Sequence, residues 1–157
     1  MSSSIKWAAL STAALAAVLY AGAAIADDAA TLDARIATMK AQGKDMGAIK
    51  AFTEDKGDLA AAQAAGADLV IQVGKIPDLF PKDTGMTAFP GKSYAKDAVW
   101  TDWDKFLAAA KTASAKADAL NAALKGGDKA AITAAFGDMG KNGCGACHEP
   151  FREKKPS

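Results

Sequence analysis

The sequence is poor in the residue types from which most protein sites are built. Its 157 residues include only two cysteines and one histidine, so a structural zinc site would need carboxylates to complete its ligands. An excess of charge of one sign is also missing, because 19 basic side chains are matched by 18 acidic ones. Without a basic excess, nothing in the sequence indicates a nucleic-acid partner.

The scarce cysteine and histidine residues nevertheless fall together, in the segment Cys144-Gly145-Ala146-Cys147-His148. The spacing C-x-x-C-H is the pattern of covalent c-type haem attachment, in which both thiols form thioethers and the imidazole ligates iron. On a helix the three side chains emerge on one side, where they can reach one porphyrin edge and its iron. We therefore predict one haem c, attached by Cys144 and Cys147, with His148 as the proximal iron ligand.

Three other uses of the cysteine pair explain less of the sequence. A zinc site would lack cysteine or histidine partners elsewhere in the chain. A thioredoxin-like redox pair belongs at the start of a helix that follows a strand, whereas this pair falls late in a predicted helix. A disulfide suits an exported chain, but it does not explain why the only histidine directly follows the second cysteine.

The N-terminal segment, residues 1–26, is typical of a secretory signal peptide. Lys6 precedes an apolar run over residues 7–23, and Ala24-Ile25-Ala26 fits a cleavage site before Asp27. Removal of these residues leaves 131, the size of one domain, numbered 27–157. The alternative is an uncleaved N-terminal membrane anchor. No later segment is long and apolar enough to cross a bilayer, so we expect a periplasmic protein without a membrane span.

Four segments have apolar residues at three- and four-residue steps, and none has the β-branched, period-two pattern of a strand. The predicted helices cover residues 32–53, 58–75, 98–124 and 128–154. Prolines exclude a regular helix from the long connection at residues 76–95, and Pro150 predicts a kinked or frayed last turn. Four helices with one long connection predict an all-α fold, an antiparallel four-helix bundle.

Glycine and aspartate residues mark the predicted helix ends. Gly57 suits the end of the first helix, and the pair Gly126-Gly127 suits the end of the third. Asp58 and Asp128 suit the N-caps of the second and fourth helices.

The helix pattern, the C-terminal haem motif and the run from Cys144 to Lys154 together resemble the class II c-type cytochromes, the cytochrome c′ family. Further similarity lies in Arg35-x-x-x-Met39 and Met46-Gly-Ala-Ile49-Lys50 in the first helix, Leu79-Phe80-Pro81 in the long connection, and Ala98-Val-Trp100 at the start of the third helix. The resemblance covers essentially the whole chain after the signal segment. It implies a four-helix bundle with one covalent haem c.

The sixth iron ligand divides this family. The resemblance implies that the position four residues after the first-helix arginine is non-ligating in high-spin cytochromes c′ and a methionine in low-spin relatives, often labelled cytochrome c-556. That position is Met39 here. A thioether ligand suits an iron held in an apolar bundle, and we predict Met39 as the sixth ligand. Met46 on the same face is the second candidate ligand, and an ordinary core methionine is the alternative for either.

Four further residues are predicted to contact the haem. Arg35 lies one helical turn before Met39, where its guanidinium can pair with a haem propionate, as the resemblance also implies. Arg152 follows the histidine by four residues and can pack along the porphyrin or meet the other propionate. Phe80 and Trp100 are candidate haem neighbours. For each of them the alternative is an ordinary surface or core position.

These assignments predict a periplasmic electron carrier with a six-coordinate His/Met low-spin haem, and not an enzyme. The alternative is a high-spin, five-coordinate cytochrome c′ that binds NO or CO, which requires that Met39 does not ligate. A peroxidase-like enzyme would lack a distal histidine, because His148 already ligates iron. We expect redox partner proteins, no nucleic acid, and a monomer or homodimer.

Overall fold

The computed structural model describes residues 11–154, with side chains from residue 28 onward. The elements in chain order are α1 (Ser11–Thr53), α2 (Leu59–Gly74), a 3-10 turn (Ile76–Leu79), α3 (Ala98–Thr101), α4 (Trp103–Gly126), α5 (Lys129–Asp138), a π-helical segment (Met139–Gly145) and α6 (Ala146–Phe151). The start of the predicted signal peptide and all of its side chains lie outside the described residues. Its predicted cleavage site falls within α1.

The first two helices pack against each other, as their short connection predicts. The Asp58 side chain accepts a hydrogen bond from the Ala61 backbone N–H at 2.8 Å, which confirms the predicted N-cap of α2. The end of α1 differs from the prediction, because the left-handed residue is Asp55, with φ 58°, and not Gly57. A Cβ on Gly57 would lie 3.2 Å from the Ala51 Cβ. That glycine therefore allows a close approach of the chain and does not cap the helix.

The predicted third helix is divided at Asp102, where φ is −117° and ψ is 43°. Aspartate has a low helix propensity because its side chain competes with the helical backbone hydrogen bonds. Trp100 lies in the short α3 before the break, and its Nε1–H donates to the carbonyls of Phe80 at 3.2 Å and Pro81 at 3.0 Å. The other end of this helix was predicted correctly, since α4 stops at the left-handed Gly127, with φ 75°.

The predicted fourth helix contains a π-helical segment that includes the first cysteine of the haem motif. Asp128 caps α5 by accepting from the Ala131 N–H at 2.7 Å, as predicted. Within the π segment, the Ala146 N–H donates to the Lys141 carbonyl five residues earlier. Helix α6 contains Pro150 and ends at the next residue. Such π turns are frequent at functional sites, and this one joins α5 to α6.

The core lies between the helices and is built from the predicted apolar stripes. Seven of its apolar residues are completely buried: Ile49, Ala62, Leu69, Val99, Leu120, Leu124 and Ile132. Residues 11–154 contain no β-strand, and one isolated bridge joins Ala95 to Arg152. The all-α bundle is thus confirmed. Within this part of the chain we find no helix with the length and apolar character needed to cross a bilayer.

Candidate haem site

A cavity of about 600 Å³ lies between α1, the long connection, α4 and the end of the chain. This volume falls in the range of cofactor pockets. Eight of the predicted site residues line it: Arg35, Met39, Met46, Phe80, Cys144, Cys147, His148 and Arg152. Side chains that are more than a hundred residues apart in sequence therefore face the same space.

The C-x-x-C-H motif extends from the π segment into α6. Cys144 lies in the π segment, whereas Cys147 and His148 lie in the first turn of α6. Both cysteines are partly buried, and both line the cavity. Burial raises the pKa of both thiols, and the neighbouring Cys144 raises that of Cys147 further. The two sulfurs are therefore held as neutral thiols on the cavity wall.

The imidazole of His148 is held in its metal-binding form. Burial lowers its pKa, and the positive charge of Arg152 lowers it further. Both effects favour the neutral ring, which has a nitrogen lone pair available for a metal ion. The donor set on this wall is thus two thiols and one neutral imidazole.

Helix α1 forms a second wall of the cavity. Arg35, Met39, Gln42 and Met46 follow one another at helical spacing, and all four line the cavity. Both methionines are partly buried against the core. Either sulfur can therefore belong to the site, as the sequence predicted.

Arg35 is buried, with 5% of its surface exposed, and is bonded to the long connection. Its Nη2 donates to the Thr84 carbonyl at 2.7 Å and to the Ser93 Oγ at 3.0 Å, while Nη1 donates to the Thr84 Oγ1 at 3.2 Å. Its guanidinium carbon lies 4.5 Å from the centre of the Phe80 ring. Desolvation lowers the Arg35 pKa to about 10, so the side chain stays charged at neutral pH.

Three features of the lining fit a haem group. A guanidinium has five N–H donors, and Arg35 uses three of them in its bonds to Thr84 and Ser93. No carboxylate of the described residues lies within 4.0 Å of its charge. The Gln42 Nε2 is buried and has no acceptor in this part of the chain. An anionic group with oxygen acceptors would satisfy both, since buried charges and amides need partners. The thiols and imidazole of the motif supply the attachment chemistry.

Trp100 is the one predicted haem neighbour that the structure places outside the cavity lining. Its indole holds the carbonyls of the long connection, and its ring packs on Gly85, where a Cβ would lie 2.8 Å from Cζ3. This aromatic side chain therefore supports the loop that carries Phe80. The spacing of aromatic residues cannot separate these two roles.

Several lining or supporting residues were not predicted from the sequence. Gln42 lies three residues after Met39, so the helical stripe already contained the signal for it. Thr84 and Ser93 are bound by Arg35 across 49 and 58 residues. No local sequence pattern indicates such pairings, so they could not be predicted.

A helical bundle with a cavity lined by two thiols, a neutral imidazole and buried polar donors defines a haem-binding protein of the c type. The family model described as Cytochrome C′ matches residues 30–152. The chain is 34% identical over 131 residues to a cytochrome c-556 of Agrobacterium tumefaciens, and the match covers 81% of this chain and 100% of that protein. It is 39% identical over 115 residues to a cytochrome c′ of Rubrivivax gelatinosus, covering 69% of this chain and 82% of that protein.

The fold is also similar to a solved cytochrome c′ described as having an unusual ligand-controlled dimer dissociation. The TM-score is 0.75 at 25% identity, and the similarity covers 81% of this chain and 97% of that one. The protein belongs to the cytochrome c′ family, and its cofactor is a single covalently bound haem c.

Proposed function

We propose that the protein is a periplasmic monohaem electron carrier with a six-coordinate, low-spin iron. Cys144 and Cys147 attach the haem, His148 is the proximal ligand, and Met39 is the sixth ligand. The observation that carries the proposal is the presence of the Met39 thioether and the His148 imidazole on the lining of one cavity. A bound haem there supplies one-electron iron chemistry, and the chain supplies its ligands and surroundings.

Met39 is preferred over Met46 because of its position relative to Arg35. In a helix, seven residues span about 10 Å, so the two sulfur-bearing side chains start from well-separated levels of α1. Met39 is one turn from Arg35, the buried cation that we propose contacts a haem propionate. The similarity to proteins named cytochrome c-556 supports a methionine ligand, and relatives named cytochrome c′ also match. The absorption spectrum distinguishes the low-spin cytochrome c-556 type from the high-spin cytochrome c′ type.

Electron transfer is the activity that such an iron supports. An iron held by both His148 and Met39 would have no free position for a substrate, and the same two side chains would hold it in both oxidation states. The chain's only histidine is the proximal ligand, which leaves no second imidazole for distal acid–base chemistry. We therefore assign no catalytic reaction to the protein.

The remaining parts of the proposal concern location and assembly. Export to the periplasm rests on the signal-peptide pattern of residues 1–26 and suits covalent haem attachment. Arg152 lines the cavity and is exposed, so we propose that its stem borders the haem edge. The dimer named in the description of one structural relative makes a homodimer the alternative to a monomer.

Absorption spectroscopy of the purified haem protein tests the proposal. We expect low-spin spectra in both oxidation states, a methionine-to-iron charge-transfer band in the ferric state, and no rapid change when CO is added to the ferrous state. A high-spin ferrous spectrum with immediate CO binding would contradict the proposal. That result would assign the protein to the ligand-binding type of cytochrome c′.

A further inference from the structure

The charged residues that line the haem cavity are all positive. They are Arg35, Lys40, Lys92 and Arg152, and no aspartate or glutamate lines the same cavity. This separation of charge is local, because the chain as a whole has almost equal numbers of basic and acidic residues. Arg35 is buried, whereas the other three are exposed. We call Lys40, Lys92 and Arg152 the basic rim.

The fold brings the basic rim together from three distant parts of the sequence. The long connection runs beside the end of the chain, where the Lys96 N–H donates to the Phe151 carbonyl at 3.0 Å and the Glu153 N–H donates to the Tyr94 carbonyl at 2.8 Å. These bonds place the segment after Lys92 next to Arg152. The bonds of Arg35 to Thr84 and Ser93 fasten the same connection to α1, which carries Lys40.

No residue of the basic rim forms an ion pair within 4.0 Å among the described residues. Six lysines of the described residues lie within 4.0 Å of a carboxylate, and none of them belongs to the rim: Lys50, Lys56, Lys96, Lys105, Lys116 and Lys129. The haem propionates would offset part of the charge, but four cations line the cavity, and a haem has two propionates. The four lining cations would therefore exceed the charge of the two propionates.

We propose that the basic rim is a docking surface for an acidic patch on the protein that exchanges electrons with this haem. The inference rests on the proposed electron-transfer function and adds the chemistry of the partner. A charged surface around the exposed edge of a cofactor raises the rate of encounter with oppositely charged partners and orients them. The rim residues both line the cavity and are exposed to solvent, so a partner that approaches the haem from solvent on this side would meet them.

Stopped-flow oxidation by small charged reagents tests the rim without a known partner. The Lys40→Glu/Lys92→Glu double variant is compared with Lys111→Glu/Lys125→Glu, which makes the same charge change at exposed lysines of α4 that are outside the cavity lining. At low ionic strength, we expect the rim variant to react about tenfold more slowly with ferricyanide and faster with a cationic cobalt(III) complex. The control should change by less than about twofold, and high salt should remove the difference.

The same proteins are then tested with macromolecular probes. Poly-L-glutamate should slow ferricyanide oxidation of the wild type and of the control at low salt, but not that of the rim variant. Equal rate changes in both double variants would overturn the proposal, because net charge alone would then explain them. Rim-dependent binding to anionic phosphatidylglycerol vesicles, without an effect of poly-L-glutamate, would also overturn it in favour of a membrane surface.

The outcome is separable from that of the proposed function. The absorption spectrum of each variant reports the iron ligands, whereas the sign and salt dependence of the rates report the rim. A high-spin spectrum in the wild type would refute the ligand assignment and leave the rate comparison interpretable. A low-spin spectrum with no rim effect would refute the docking surface alone.

Discussion

The Arg35 Nη2 donates a hydrogen bond of 2.7 Å to the backbone carbonyl of Thr84, 49 residues away. A second bond from the same atom reaches the Ser93 Oγ at 3.0 Å, and the Ser93 hydroxyl itself donates to the Thr84 carbonyl at 3.1 Å. One cation of α1 thus binds two points of the long connection that forms a wall of the haem cavity. The structure gives Arg35 a role in holding this connection, in addition to the proposed contact with a propionate.

Replacing Arg35 should loosen the long connection. In Arg35→Gln, the shorter side chain cannot make all three bonds, so we expect the holoprotein to lose about 2 kcal/mol of unfolding free energy. Urea denaturation measures the loss, and hydrogen exchange should show faster exchange of the Ser93 amide, which donates to the Phe89 carbonyl at 2.9 Å. Lys50→Gln, at an exposed cation of the same helix, is the matched control. Unchanged stability and exchange in Arg35→Gln would show that these bonds do not hold the loop.

Gly66 allows α2 and α4 to approach closely. A Cβ at this position would lie 2.4 Å from the Leu124 Cδ1, and both residues are buried. Gly66→Ala should therefore destabilise the protein by about 1–3 kcal/mol, although alanine is the better helix former. Thermal unfolding measures the effect.

Two further variants separate crowding from helix propensity. Gly47→Ala in α1 has open space around the new methyl group and should be neutral or stabilising by up to about 1 kcal/mol. If crowding by the new methyl group is the cause, Leu124→Ala should lower the free energy of unfolding less in the Gly66→Ala background than in the wild type. Additive effects of the two substitutions would exclude this explanation.

Asp45 is a buried carboxyl group, with 7% of its surface exposed, and its Oδ2 has no hydrogen-bond partner among the described residues. Burial raises its pKa, and the nearby carboxyl group of Asp68 raises it further, while the positive charge of Lys44 opposes them. The folded state thus binds the proton more tightly than the unfolded chain. Stability should fall as pH rises from the unfolded pKa of about 3.9 through the folded value.

Asp45→Asn removes this titration. We expect the variant to gain about 1 kcal/mol over the wild type at pH 7, and the gain to disappear near pH 3, where the wild-type group is protonated in both states. Urea denaturation at a series of pH values measures the difference. Asp118→Asn, at an exposed aspartate of α4, is the control. A gain that does not depend on pH would show that the charge of Asp45 is not its cause.

The sequence predicted the parts of the fold and the site that depend on local patterns. The apolar stripes predicted four helical regions. The helix ends at Asp58, Asp128 and Gly127 were also predicted correctly. The C-x-x-C-H spacing placed three residues on one wall of the cavity. These features involve residues close together in the chain. Local propensity and helical periodicity are sufficient to determine them.

The parts that could not be predicted depend on long-range contacts. The π segment leaves the 3.6-residue repeat, and the break at Asp102 divides a stripe that looks continuous. Trp100 was predicted beside the haem, but its indole binds carbonyls 19 and 20 residues earlier. Which aromatic or polar side chain faces the cofactor depends on how the long connection folds, and prolines predict only that it is irregular.

The central claim is that the Met39 sulfur is the sixth ligand of the haem iron. The most direct measurement is the ferric and ferrous absorption spectrum of Met39→Leu, with Met46→Leu as the matched control on the same face of α1. Leucine keeps most of the apolar volume but has no lone pair. We predict that Met39→Leu loses the methionine-to-iron charge-transfer band, becomes high-spin and binds CO, while Met46→Leu retains the wild-type spectrum. A low-spin spectrum in Met39→Leu, together with its loss in Met46→Leu, would contradict the account.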